Sequence, residues 1–144
     1  MYLFSLAALM CATLFTGAAL YISLVEHPAR LGLPDGPLLA QWQPSYKRAL
    51  PIQSGLAIAG GVTGLMAGWL SADWRWFAGS IVLLANWPFT LIVMMPDNRR
   101  LMALTQDEAG PESRTMLTRW GKQHAVRSAL GAAAAVLFAW ASAG

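Results

Sequence analysis

Four stretches of the sequence are apolar for long enough to cross a lipid bilayer. The hydrocarbon core of a membrane requires about 20 mostly apolar residues in one helix. Residues 2–25, 51–70, 76–95 and 111–143 provide them, the last stretch beginning with a polar extension before residue 125. The pattern therefore predicts an all-α protein in which residues 1–144 form a single domain, a four-helix transmembrane bundle.

The first apolar stretch lacks the features of a signal peptide. A signal peptide places basic residues before a short apolar region of about 7–15 residues. Residues 2–25 contain no charged side chain and form a longer apolar run. We expect this stretch to be retained as the first helix.

The connection between the first two helices is amphipathic rather than simply polar. Residues 38–50 (LLAQWQPSYKRAL) mix leucine, tryptophan and tyrosine with lysine and arginine. This composition is typical of a segment that lies along a membrane interface. We expect Pro44 to interrupt any helix there, because proline has no backbone N–H to donate.

Basic residues are concentrated in two of the three connections. Residues 26–50 hold three of them and residues 97–124 hold five, whereas the second connection has only Arg75. The positive-inside rule places the first and third connections in the cytoplasm. We therefore expect a multi-pass protein of a bacterial cytoplasmic membrane with both termini outside.

The overall composition agrees with a bilayer environment. Hydrophobic residues make up 56% of the chain and charged residues only 12%, well below the roughly 25% of soluble domains. The net charge of +3 is small, and the basic residues form no run interleaved with aromatic residues, which argues against a nucleic-acid partner. The single cysteine, Cys11, excludes an intrachain disulfide and any cysteine-based metal site.

The second helix carries Gly60, Gly64 and Gly68 at four-residue spacing. One face of this helix is therefore free of side chains, so a neighbouring helix can approach closely. We interpret this stripe chiefly as a packing surface inside the bundle. It also offers a face for a homo-oligomer, and a non-enzymatic subunit or assembly protein would leave this face exposed.

Polar side chains inside a bilayer are costly, so each one is a candidate functional residue. Asn86 lies near the middle of the third apolar stretch, and Pro88 removes the N–H partner of the Leu84 carbonyl. An opened backbone beside a buried amide indicates a cavity or a ligand contact. The alternative is that Asn86 simply bonds a neighbouring helix or the freed carbonyl.

A second set of polar residues lies at those ends of the four apolar stretches that adjoin the two basic connections. This set contains both histidines of the chain. Its members are Glu26, His27, Gln53, Asp97, His124 and Arg127. Histidine serves both as an acid–base group near neutral pH and as a metal ligand. The two histidines with a carboxylate from Glu26 or Asp97 would suit iron, zinc or copper. A structural or interfacial role for each histidine is the alternative, because no spacing motif supports a metal site.

Several short motifs together resemble a known family. In chain order they are residues 26–30 (EHPAR), 42–48 (WQPSYKR), 86–88 (NWP), 96–100 (PDNRR) and 120–127 (WGKQHAVR). They resemble the small DUF1772 membrane proteins, a group classified with the anthrone oxygenase family. The resemblance spans most of the chain and implies a four-helix membrane bundle.

For function, the resemblance implies an oxidoreductase or oxygenase that acts on a hydrophobic aromatic or quinone-like molecule, oxidising an anthrone to an anthraquinone with molecular oxygen. A histidine would remove a proton from carbon, and an amide or guanidinium would stabilise the enolate-like charge. The resemblance places His27, Asn86 and His124 at the site as catalytic residues. It places Glu26, Asp97 and Arg127 there as supporting residues.

The cofactor and the enzymatic nature of the protein stay open at this point. The proton-abstraction route needs no cofactor, whereas a second route uses a metal or haem held by His27 and His124. A non-enzymatic membrane subunit that binds partner helices is the alternative to both routes.

Overall fold

A computed structural model describes all 144 residues, of which 91% are helical. Four long helices account for most of the chain: α1 (Tyr2–Leu31), α2 (Asp35–Ser71), α3 (Trp74–Ala103) and α4 (Pro111–Ser142). A short 3₁₀ turn, Gln106–Glu108, lies between α3 and α4. Each long helix is long and apolar enough to cross a membrane, which confirms the predicted all-α fold with four candidate spans.

The four helices form a square bundle in which consecutive helices are neighbours. α1 packs against α2 and α4, and α3 also packs against α2 and α4. Both chain termini and the α2–α3 turn lie at one end, which we call the terminal end. The opposite end contains residues 26–50 and 96–124, and we call it the basic end.

The helices extend beyond the apolar stretches that predict them. α2 contains 37 residues, which is about 55 Å at a rise of 1.5 Å per residue. A hydrocarbon core is only about 30 Å thick. The expected bounds of 2–25, 51–70 and 76–95 are therefore too short, because these helices continue past a membrane-sized segment at the basic end.

Residues 38–50 form the first part of α2 rather than a separate interfacial segment, and the expected break at Pro44 is wrong. The helix runs unbroken through Pro44 and Pro51. Proline removes one N–H donor from a helix, but Leu38 and Trp42 are fully buried beside it. Burial of one large apolar side chain contributes about 1.5–3 kcal/mol, so tertiary packing offsets the missing hydrogen bond.

Two apolar cores follow one another along the bundle. In the core of the terminal half, the rings of Trp76 and Phe138 stack with centroids 5.3 Å apart. In the core of the basic end, Trp42 and Trp120 meet edge to face at 5.7 Å. The two cores hold the four helices together on either side of a region rich in buried polar groups.

The glycine stripe of α2 is used inside this bundle. Gly60, Gly64 and Gly68 are all buried. A β-carbon at position 64 would overlap the Phe138 ring, and one at position 68 would lie 2.9 Å from Phe77 Cε2. The packing interpretation is confirmed, and the exposed glycine face expected of an assembly protein is wrong, because α1, α3 and α4 cover it.

Candidate functional site

Buried polar side chains are concentrated in the half of the bundle nearer the basic end. Burying a polar group is costly unless it is hydrogen-bonded, so this concentration marks a region that packing alone does not explain. The buried polar residues of this region are His27, Arg30, Gln53, Asn86, Thr90, Asn98, His124, Arg127 and Ser128.

One cavity in this region opens between α2 and α3, and we call it the outer cavity. It has a volume of about 110 Å³, and most of its lining is apolar. Trp87 and Leu91 in its lining are 37% and 51% exposed, so the cavity opens on the outer face of the bundle. Its polar groups include Asn86, Thr90 and Arg127. A mostly apolar lining with a few polar groups is typical of a small-molecule site.

A second, narrower cavity lies among α1, α2 and α4, and we call it the inner cavity. It has a volume of about 20 Å³, which is room for about one water molecule. Its polar lining includes Tyr46, Gln53, His124 and Arg127. Leu50 and Arg127 line both cavities, so they form the boundary between them.

A local change in helix type shapes the outer cavity. The α-helical turn Asn86–Phe89 is followed by a π-helical turn, Thr90–Met94, and such turns are frequent at functional sites. The Asn86 amide nitrogen donates to the Leu83 carbonyl at 3.0 Å, one residue before the carbonyl that Pro88 frees. Asn86 Oδ1 is buried without a partner. It therefore offers a free hydrogen-bond acceptor in a residue that lines the outer cavity.

Arg127 is a buried cation without a counterion. It is 5% exposed, yet none of the salt bridges includes it, and its Nε has no hydrogen-bond partner. Its guanidinium carbon lies 5.6 Å from the centre of the Phe15 ring. An uncompensated buried charge destabilises a fold. The arrangement therefore favours a ligand that brings negative charge into the cavities.

His124 lies close to this cation in the inner cavity. It is 2% exposed, and its Nδ1 lies 2.9 Å from Ser23 Oγ. Its ring stacks on Trp120 with centroids 4.8 Å apart. The structure therefore brings His124 and Arg127 to one cavity, and Asn86 and Arg127 to the other.

His27 lies outside both cavities. Its Nε2 donates to the Leu117 carbonyl at 3.0 Å, and its ring lies 5.0 Å from that of Trp120. The absence of a side chain at Gly121 makes room for the imidazole of His27. A β-carbon at position 121 would lie 2.5 Å from His27 Cδ2. In this structure His27 joins α1 to α4 instead of lining a cavity.

The two carboxylates expected at the site are already paired within the protein, Glu26 with Arg30 and Ser45, which line the inner cavity. Glu26 forms an ion pair with Arg30 and accepts a hydrogen bond from Ser45 at 2.6 Å. Asp97 pairs with Arg119 at 2.7 Å. No group of three or more His, Cys, Asp or Glu side chains is placed to hold a metal ion. The donor set expected for a metal, both histidines with Glu26 or Asp97, is therefore not assembled.

The sequence reasoning missed Ser23, Tyr46 and Ser128. Ser23 and Ser128 bond each other and His124, and Tyr46 accepts a hydrogen bond from Asn98 Nδ2 at 3.2 Å. Ser23 and Ser128 are polar residues within apolar stretches, which is the signal that identified Asn86. Serine, however, is common in membrane helices, where its hydroxyl bonds its own backbone.

Comparison with known proteins gives the family. The sequence profile described as anthrone oxygenase matches residues 42–137, which is 96 of the 144 residues. The chain belongs to the anthrone oxygenase family. This confirms the resemblance in the sequence, and the match includes Asn86, His124 and Arg127.

The chain is also similar to a protein named as an anthrone oxygenase from Cryptosporiopsis sp. (strain 8999). The two are 30% identical over 145 residues, a region that covers 92% of this chain and 81% of that protein. No solved structure matches the chain.

Proposed function

We propose that the protein is a membrane-embedded oxygenase that oxidises a hydrophobic aromatic carbon acid of the anthrone type with molecular oxygen. Family membership and the name of the fungal relative support this reaction class. The single observation that carries it within the site is Arg127, a buried cation without a counterion between two cavities. Such a cation suits a substrate that becomes negatively charged during the reaction.

The lining of the outer cavity suits part of this substrate, and the rest of the ring system would lie in the open mouth between α2 and α3. Its lining is largely apolar, and its mouth lies between the outward-facing surfaces of α2 and α3. A hydrophobic ring system can therefore enter directly from the bilayer, without crossing water. Asn86 is one of the few polar residues of this lining, and its Oδ1 has no hydrogen-bond partner in the protein.

The first chemical step is removal of a proton from the methylene carbon of the substrate. In this proposal the reacting carbon lies at the boundary between the two cavities, beside Leu50 and Arg127, and His124 accepts its proton from the side of the inner cavity, so a C–H bond breaks and an N–H bond forms. The electron pair moves into the ring system and places negative charge on the substrate carbonyl oxygen. Arg127 stabilises that oxygen inside a cavity of low polarity, where electrostatic stabilisation is strongest.

Molecular oxygen then oxidises the carbanion. The substrate carbon bonds one oxygen atom, a hydroperoxide forms, and loss of water leaves a new carbonyl. Each anthrone consumes one O₂, with one oxygen atom in the quinone and the other in water. The substrate supplies all the electrons, so the step needs no additional reductant. In this proposal His27, Glu26 and Asp97 hold the basic end of the bundle together and do not contact the substrate.

Oxygen uptake and quinone formation by the purified protein in mild detergent test this proposal. We expect anthraquinone to form faster than in protein-free controls, with one O₂ consumed per quinone. The Arg127→Met variant should lower kcat/KM by about 10²- to 10³-fold, the usual effect of removing one donor to a developing oxyanion. Arg100→Gln, which changes an exposed arginine paired with Glu112, is the matched control. Failure of the folded wild-type protein to exceed the uncatalysed rate would contradict the proposal.

The proposed orientation places the basic end in the cytoplasm and both termini on the opposite side of the membrane. The support is the concentration of basic residues at the basic end, within residues 26–50 and 96–124. Single-cysteine variants in a Cys11→Ala background test it with an impermeant thiol reagent. Gly144→Cys should react in intact cells, and Ala109→Cys only after permeabilisation. The reverse pattern would overturn the orientation.

A further inference from the structure

We infer that Ser23 and Ser128 form a closed hydrogen-bond ring with His124, which fixes the imidazole as its Nδ1–H tautomer and leaves Nε2 as the free base. The catalytic consequence of this inference rests on the proposed function, whereas the tautomer itself does not. Neither serine contacts the substrate in this proposal, so both are positioning residues.

Three hydrogen bonds define the ring. His124 Nδ1 and Ser23 Oγ lie 2.9 Å apart, and the two serine Oγ atoms also lie 2.9 Å apart. Ser128 Oγ donates to the backbone carbonyl of His124 at 3.2 Å. The three hydrogen bonds therefore begin at the side chain of His124 and end at its backbone carbonyl.

Only one distribution of protons makes all three bonds. The carbonyl of His124 can only accept, so the single hydroxyl proton of Ser128 is used there. Ser23 must then donate its own proton to Ser128 Oγ. Having no second proton, Ser23 accepts from His124 Nδ1, which must be protonated. In the neutral imidazole the other nitrogen, Nε2, is then the acceptor.

Burial protects this arrangement from competition with solvent. His124 and Ser128 are 2% and 3% exposed, and the stacked ring of Trp120 lies 4.8 Å away from the imidazole. The tautomer of a histidine is set by the hydrogen bond that its second nitrogen makes. Here that bond is internal to the protein, so the tautomer is fixed before any ligand binds.

The fold places Ser23 opposite His124 through a π-helical turn of α1, Ile22–Glu26. Such a turn shifts the side chains that follow it relative to a regular α-helix. Ser128 lies one helical turn after His124 on α4, which explains its bond to the backbone of that residue. The ring thus joins α1 to α4 next to the inner cavity.

The hydrogen-bond ring determines which nitrogen of His124 acts as the base in the proposed proton transfer. The lone pair of Nε2 takes the proton from the substrate carbon, while Nδ1–H stays bound to Ser23. The imidazolium that results is stabilised by Ser23 and returns its proton to the peroxide anion that forms when the carbanion bonds O₂, which gives the hydroperoxide. Nε2 then takes the second proton from the same carbon as hydroxide leaves, and that hydroxide receives the proton and departs as water. The opposite tautomer would place a hydrogen on Nε2, where no proton could then be accepted.

Nitrogen NMR of the protein with ¹⁵N-labelled histidine tests the tautomer without any substrate. A His27→Gln variant assigns the two histidines. We expect His124 to show a protonated Nδ1 and an unprotonated Nε2 in the wild type, in Ser23→Thr and in the matched control Ser5→Ala. Ser5 lies on the same helix and its hydroxyl bonds only its own backbone. Ser23→Ala should shift protonation toward Nε2. A wild-type His124 protonated on Nε2 would overturn the inference.

Kinetic measurements distinguish a failure of the positioning role of the ring from a failure of the proposed function. In a protein that oxidises anthrone, Ser23→Ala should lower kcat by about tenfold or more, part of the 10²- to 10⁴-fold that a general base supplies. KM should be unchanged, and Ser23→Thr should restore kcat. An unaltered kcat in Ser23→Ala would overturn the positioning role. A wild type with the expected tautomer but no turnover would contradict the proposed function and leave the ring intact.

Discussion

Gly121 lies directly against the imidazole of His27. A β-carbon at position 121 would come within 2.6 Å of His27 Nε2, the atom that donates to the Leu117 carbonyl. The missing side chain therefore allows α1 and α4 to approach each other at the basic end. This contact explains why a glycine stands one residue after Trp120 in a long helix.

Gly121→Ala should destabilise the protein by displacing this imidazole. We expect a loss of about 1–3 kcal/mol in the free energy of unfolding, the usual cost of overpacking. Gly55→Ala is the matched control, because a β-carbon there meets no atom within 4 Å and alanine favours a helix by about 1 kcal/mol. Thermal unfolding in detergent compares the two variants. Equal free energies of unfolding of the Gly121→Ala and Gly55→Ala variants would contradict the close contact between Gly121 and His27.

Gly64→Ala should also destabilise the monomer, and its oligomeric state should not change. The added methyl group would overlap Ser80 Oγ and the ring of Phe138 inside the bundle. Thermal unfolding measures the first effect, and size-exclusion chromatography with light scattering measures the second. Dissociation of an oligomer into a monomer of unaltered stability would show that the glycine face binds a second copy instead.

Arg127→Met should remove activity without lowering stability. Replacing buried charge with an apolar side chain of similar size is often neutral or stabilising by about 1–4 kcal/mol, and Arg127 has no ion pair to lose. The free energy of unfolding should therefore be unchanged or higher, while anthrone oxidation is lost. A marked loss of stability would mean that the guanidinium has a negatively charged or hydrogen-bonding partner within the folded protein, beyond the Phe15 ring.

Asp73 gives a pH-dependent contribution to stability at the terminal end. Its carboxylate accepts hydrogen bonds from the Arg75 guanidinium, the shortest at 2.8 Å, and from the Arg75 backbone N–H at 2.9 Å. These bonds hold the pKa of Asp73 below its usual value. The unfolded chain therefore binds the proton first as pH falls, so the stabilisation is present above about pH 4 and is lost below it.

Asp73→Asn isolates this charge, because asparagine can still cap the helix. The melting temperatures of the wild type and the variant should differ at pH 7 and converge as the pH falls below about 4. A difference that does not change with pH would show that the charge of Asp73 contributes nothing.

Much of the fold could be predicted from the sequence because a bilayer imposes a simple length on apolar helices. The same reasoning failed at Pro44, where local helix chemistry indicates a break but α2 continues. The burial of Leu38 and Trp42 against the other helices decides that outcome. Such contacts join residues far apart in the chain and are not visible in a local pattern.

The candidate site was predictable only in part. Asn86, His124 and Arg127 stood out because polar residues are costly inside apolar helices. The sequence did not separate His124 from His27, because their difference depends on Gly121 and on the register between α1 and α4. Ser23 faces His124 through a π-helical turn, and no spacing along the chain indicates such a turn.

Ionisation of a hydroxyanthraquinone that is bound to the protein in detergent solution tests most directly whether Arg127 stabilises a negatively charged oxygen. The absorbance of such a compound reports the formation of its phenolate, so its pKa can be followed by titration in complex with each protein. The phenol should ionise at lower pH on the wild type and on Arg100→Gln than on Arg127→Met, each unit of difference being 1.36 kcal/mol. Equal ionisation on all three proteins would contradict the assignment of Arg127 as the group that holds the developing charge.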